Sequence, residues 1–356
     1  MSSNSLRSIF QNAKGIVIMK FKGIHSALMI MFVIAAGFFC TIAPAASEAA
    51  VTARTIKLAH VLPPDSNFDI GAQKFRELVD KASKGKIKVE IYAGDMTTDE
   101  VEAAEMVRSG NLDMAWTSTG SLSAFVKDLM LLDMPFLFRD TNHVNKVLMG
   151  PVGENLLKQF DASHIKALAF SEDGWREITN NKRPINSLAD MKGLKLRTMM
   201  NDMNADMYKA LGAVPTPIPS GEIYSSIQTG LVSGQDNGVY VANSVGYLAI
   251  QPYVCMIQHF YSSGVVLASE KLWNNLNAEE RKIVKDAAVA AGKDQREWFW
   301  NTEMALTKKL EKEKKITVSY PKDRDAWVKA VQPVYASYFK KYPHWKPIVD
   351  QINKTK

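Results

Sequence analysis

Leu188-Ala189-Asp190-Met191-Lys192-Gly193-Leu194-Lys195-Leu196-Arg197-Thr198-Met199 is the stretch on which the fold turns. Ser187 caps a short helix that Gly193 ends. Leu194 and Leu196 then share one face of a strand and Arg197 takes the other, because side chains alternate along extended backbone. A helix follows over Met203 to Leu211 and stops at Gly212. Another runs over Glu222 to Thr229, stops at Gly230, and leads into strand-like residues.

Working outward, the same grammar appears earlier. Ile56 and Leu58 mark a strand over Thr55 to Leu62, and Pro63 to Asn67 supplies a turn with helix caps. Phe68, Ala72, Phe75, Val79 and Ala82 have helical spacing, ended at Gly85. Ile87, Val89 and Ile91 alternate as a strand. Asp99 to Arg108 reads as a helix closed by Ser109-Gly110, and Leu112 to Thr117 as a third strand. Strands alternating with helices build a sheet wrapped by helices. Two such units predict two similar α/β lobes, echoed in Val107-Arg108-Ser109-Gly110 and Ile227-Gln228-Thr229-Gly230. Asn277 and Glu280 form a capping box. From Ala278 to about Lys314 the pattern predicts one long helix that braces both lobes, with two helices bent at Gly292 as the alternative.

The first 49 residues are of another kind. Arg7, Lys14, Lys20 and Lys22 precede an apolar run from Ala27 to Ala36, and Ala43-Pro44-Ala45-Ala46 follows. This reads as a secretory signal peptide cleaved after Ala45 or Ala49, with Met19 as an alternative start. A membrane anchor is the rival reading, but the run is short for a span. Cleavage removes four basic residues and Glu48, and takes the net charge from +7 to +4. That mild charge, without a dense Lys/Arg block, argues against nucleic acid as a partner. The one cysteine left, Cys255, sits in an apolar run and reads as a buried thiol.

No nucleophile elbow, zinc-protease motif, C-x-x-C, phosphate loop or dinucleotide fingerprint is present, and the six histidines have no metal-ligand spacing. No metal and no cofactor are expected, and an enzyme is disfavoured. Arg197 is the positive signal. It stands toward the C-terminal end of its strand, where open α/β sheets bind ligands. A guanidinium there grips a carboxylate with two parallel hydrogen bonds; an exposed ion pair is the alternative. Arg176 in Gly174-Trp175-Arg176-Glu177 and Asn237 in Gly234-Gln235-Asp236-Asn237-Gly238 are further candidates. Trp116 is either core or cleft wall.

At these residues the chain resembles the DctP-type solute-binding proteins of tripartite ATP-independent periplasmic (TRAP) transporters. Ile56-Lys57-Leu58-Ala59-His60-Val61-Leu62 is similar to the family's opening strand, and Leu132-Asp133-Met134-Pro135-Phe136-Leu137-Phe138 to its L-D-x-P-F-L-F segment. Thr179-Asn180-Asn181-Lys182-Arg183-Pro184-Ile185 and Asp190 to Arg197 match its T-N-x-K-R-P-I and D-L-K-G-L-K-I-R runs. The resemblance implies a two-lobed, periplasmic-binding-protein-like α/β fold with a central cleft, hinge strands and a long helix crossing both lobes. It puts the carboxylate clamp on Arg197, a second ligand-facing arginine on Arg176 and a ligand contact on Asn237. Ser220 and Gly221 depart from the family's F-S-E-x-Y segment, so a reshaped pocket with aromatic walls from Trp116, Trp175 and Tyr240 is expected. His60 and Ser220 complete the candidate ligand-binding set.

The implied division is a signal peptide at 1–49, a first lobe at 50–173 plus 263–302, and a second at 174–262 plus 303–356. The implied function is capture of a small organic acid in the periplasm and delivery, by a monomer, to the membrane permease of a TRAP transporter. Presentation of the acid to a sensor kinase, or an exported enzyme using the same cleft, are the rival readings.

Overall fold

The computed structural model describes residues 50–356; the stretch read as a signal peptide, with its cleavage sites, lies outside the described residues. Among the described residues no helix is long and apolar enough to cross a membrane.

Two sheets organise the chain. The first is ordered β2-β1-β3-β10-β4, from β1 (Arg54–His60), β2 (Ile87–Ala93), β3 (Met114–Ser118), β4 (Ile165–Trp175) and β10 (Tyr261–Ser269). The second is ordered β11-β9-β5-β8-β6-β7, from β5 (Glu177–Asn180), β6 (Lys195–Thr198), β7 (Val214–Pro217), β8 (Gly234–Asn237), β9 (Tyr253–Cys255) and β11 (Thr317–Ser319). β1 pairs in parallel with β2 and β3, as helical crossovers require. β10 runs antiparallel between β3 and β4, which the run of sequence signals does not reveal. Gly110 and Gly230, the paired stops of the internal echo, both take left-handed backbone (φ 73° and 76°), which glycine adopts without a Cβ penalty.

Each sheet has apolar packing on both faces. Ile56, Leu58, Met114 and Trp116 join Phe68, Phe75 and Val79 of the first helix in one cluster, while Ala59 and Ala115 belong to the cluster on the opposite face. Two more clusters enclose the second sheet.

The chain passes between the sheets with little slack. β4 ends at Trp175 and β5 begins at Glu177, so Arg176 alone links them. β9 returns through five residues to β10. The helix Ala278–Lys312 is continuous over 35 residues, capped by reciprocal bonds between Asn277 and Glu280. At about 1.5 Å per residue it reaches about 50 Å. Its Ile283, Val284 and Ala288 pack on the first sheet and its Leu310 on the second. Gly292 does not bend it. A Cβ there would stand 2.6 Å from Phe170 O, so the glycine lets the helix lie against β4.

The C-terminal segment departs from the expected division. Val334, Tyr338, Trp345, Val349 and Ile352 join the core beside β3 and β10, and His143 Nε2 bonds Ile352 O at 2.8 Å. Residues 332–354 therefore pack on the first lobe, because their amphipathic faces complete that lobe's apolar layer rather than the second's.

Candidate functional site

The lobes touch along one side of the hinge strands. Gly221 N–H donates to Thr98 O (3.1 Å), Tyr240 OH to Asp65 O (2.8 Å), and Asn201 Nδ2 to Gly120 O (2.8 Å) and Asp133 Oδ2 (2.9 Å). Behind these contacts lies a cavity lined from both lobes. The first lobe contributes Phe68, Glu100, Ser118 and Asp173; the second contributes Arg176, Arg197, Ser220, Asn237 and Tyr247.

Strand alternation aims Arg197. Leu196 is buried in the core of the second lobe, so Arg197 leaves β6 on the other side, into the cavity. It is 3% exposed. Its Nε donates to Ile218 O at 2.7 Å, and among the described residues its Nη groups meet no acceptor. Burial lowers its pKa, partly countered by the charge of Asp236. A guanidinium held out of water without a carboxylate at contact distance is costly, and an anion in the cavity removes that cost.

Arg176 is placed differently. Its Nη1 meets Asp173 Oδ2 at 2.9 Å, its Nε meets Asp236 Oδ1 at 3.0 Å, and its Nη2 meets Asp236 O at 2.6 Å. Two carboxylates thus answer its charge, and they raise its pKa against the opposing effect of burial. Asp236, held below the usual carboxylate range by the charges of Arg176 and His259 in spite of burial, also takes a hydrogen bond from Tyr208 OH. Among the lining cations, Arg197 is the one with no paired carboxylate among the described residues.

Glu100 stands on the opposite wall. Its carboxyl accepts from Ser118 N (2.8 Å), Ser118 Oγ (2.7 Å) and Ser121 Oγ (2.6 Å). Burial raises its pKa and Asp173 adds to the rise. Asn237 Nδ2 bonds Gln235 Oε1 at 2.5 Å, and Tyr247 OH, pushed up to about 12 by burial, donates to Ser220 O at 3.3 Å.

The structure therefore brings Arg197, Arg176, Asn237 and Ser220 together in one cavity. It does not bring the other four. Trp116 is 1% exposed in the core, with Nε1 on Ser171 Oγ at 2.7 Å; its face of β3 is the one that packs on the first helix. His60 is buried against Asp69, with Nε2 3.4 Å from Oδ1. Trp175 faces the far side of the hinge, because it neighbours Arg176 in extended chain. Tyr240 bridges the lobes at the mouth and packs edge-on to Trp298. Glu100, Ser118, Asp173 and Tyr247 are among the polar lining residues that sequence reasoning missed. A first-turn glutamate after Asp99 looks like any that complements a helix dipole, whereas Asp173, three residues before Arg176, was visible as a pairing partner.

The bacterial extracellular solute-binding protein family 7 model, DctP, matches residues 58–342. The 2,3-diketo-L-gulonate-binding periplasmic protein YiaO of Escherichia coli is 30% identical over 250 residues, covering 70% of this chain and 76% of that protein. The C4-dicarboxylate-binding protein DctB of Bacillus subtilis is 29% identical over 288 residues, covering 79% and 81%. A TRAP periplasmic solute-binding protein from Polaromonas, solved with D-erythronate bound, superposes with a TM-score of 0.81 at 34% identity, covering 85% of this chain and 99% of that one. With the match spanning most of the chain and both lobes, this protein belongs to the DctP family, the bacterial extracellular solute-binding proteins of family 7.

Proposed function

We propose that the cavity holds a small hydroxylated monocarboxylate, gripped at its carboxylate by Arg197, and that the protein carries this acid to the permease of a TRAP transporter. The observation that carries the reading is the buried Arg197 guanidinium with no paired carboxylate among the described residues. Asn237 and the remaining N–H groups of Arg176 add donors beside it. Glu100 on the facing wall accepts from ligand hydroxyls and opposes a second carboxylate by charge or by burial. The relatives that bind diketogulonate and erythronate support an acid of this kind.

Capture makes and breaks no covalent bond. Two lobes turn about β4–β5 and β9–β10, with boundaries near 173/174 and 262/263, and shut water out. The chain then acts as a monomer exported by its cleaved signal peptide. Calorimetric titration with D-erythronate, 2,3-diketo-L-gulonate, D-gluconate and succinate tests the reading. At least one polyhydroxy acid binds and succinate binds more weakly. Arg197→Ala loses about 4 kcal/mol, near a thousandfold in Kd, for the abandoned anion. Unchanged affinity in a folded Arg197→Ala variant removes the clamp. An acid recovered chemically altered removes capture without turnover.

A further inference from the structure

A second hollow, of about 290 Å³, lies behind the hinge and shares no lining residue with the acid cavity. Its place follows from strand geometry. Arg176 lines the acid cavity, while Trp175 and Glu177, flanking it, line the hollow. Neighbours in extended chain leave by opposite faces, so the hinge strand separates the two spaces.

The chemistry of the two spaces is inverted. Phe299 and Trp300 of the long helix join Trp175 as aromatic walls, and Glu177 and Glu303 supply carboxyls. Both oxygens of Glu303 accept backbone N–H groups, from Val239 and Tyr240. Glu177 is 1% exposed and meets only backbone N–H groups, from Gln258 (3.1 Å) and Ile257. Among the described residues no cationic side chain forms an ion pair with it. Arg324, the cation whose charge it feels, instead bonds Ile257 O at 2.6 Å and stacks over Phe136. Met304, 41% exposed, completes the lining on the side of the long helix.

We propose that this hollow binds a small organic cation with an apolar body, an aryl- or alkylammonium. Its charge sits on the aromatic faces beside Glu177, and its apolar part lies against Met304. Burial holds the Glu177 carboxyl, bonded only to backbone N–H groups, toward its protonated form, and a cation in the hollow favours the charged one. Glu177 stands in the second sheet and Asp140 on the first lobe's side of the hollow. An occupant wedged between them holds the lobes at the angle seen here, with the front cavity shut.

Benzyltrimethylammonium titrated at about pH 9, above the value of about 8 to which burial pushes Glu177, is the probe, with benzyl alcohol as its neutral counterpart. One cation binds, about tenfold or more tighter than the alcohol. Glu177→Gln and Met304→Trp, the second filling the hollow from a partly exposed position, each abolish it. Equal binding of the alcohol, no saturable binding, or binding untouched by Met304→Trp overturns the site. Spin labels on Lys81→Cys and Lys192→Cys, one per lobe, draw closer when the probe is added; an unchanged distance overturns the link to the hinge. Neither readout uses an organic acid, so failure here is separate from failure of the acid titrations.

Discussion

Replacing Gly221 with alanine should weaken capture without weakening the fold. A Cβ at Gly221 would stand 2.5 Å from Thr98 Oγ1 and closer still to Thr98 Cβ, an atom fixed to the backbone of the other lobe. The same pair of residues carries the lobe-to-lobe hydrogen bond from Gly221 N to Thr98 O. The overlap therefore exists when the lobes meet and vanishes when they part. Overpacking of this size costs about 1–3 kcal/mol. Taken as about 2 kcal/mol on the closed form alone, it raises the apparent Kd roughly thirtyfold, since the binding-competent fraction falls by that factor. Calorimetry with an acid that binds the wild type measures the loss, and a thermal melt of the empty protein shows an unchanged midpoint. Thr98→Gly removes the opposing Cβ, so the double variant regains most of the affinity. The reasoning fails if Gly221→Ala binds within twofold of wild type, or if Thr98→Gly rescues nothing.

Two other outcomes follow from the burial pattern. Trp116→Phe loses the hydrogen bond to Ser171 and core volume, about 1–2 kcal/mol on the urea midpoint, while acid affinity of the folded protein stays put; a parallel fall in affinity would return Trp116 to the cavity wall. Glu172, Glu177 and Asp133 are each pushed up to about 8 by burial, so the native state holds protons there that the unfolded chain has released. Their stabilising effect is complete below the unfolded carboxyl range and is lost as pH rises through about 8. Denaturation midpoints should therefore fall between about pH 5 and pH 9, and Glu172→Gln should flatten that slope; a midpoint that rises over this range contradicts the assignment.

Local signals carried most of the fold. The caps at Ser66, Asn277 and Ser187, the stops at Gly110 and Gly230, and the alternation of Leu194, Leu196 and Arg197 all correspond to elements where the chain places them. What escaped was set by distant partners. The antiparallel insertion of β10 and the return of residues 332–354 to the first lobe depend on which apolar face is left open, and no neighbouring residue announces it. The site divides the same way. Arg197 is legible because strand position and charge agree in one short segment. Trp116, Trp175 and Tyr240 have the right chemistry for cavity walls, yet their faces are decided by the opposing layer. Glu100 reaches the cavity from the first turn of its helix because β3 brings Ser118 alongside.

Arg176 is at once the joint between the sheets and part of the cavity wall. Its own charge is settled internally by Asp173 and Asp236, leaving the joint indifferent to which anion arrives. Descendants of this scaffold can therefore trade Glu100, Ser220 or Gly221 for other side chains and acquire new cargoes, with the machinery of movement inherited intact.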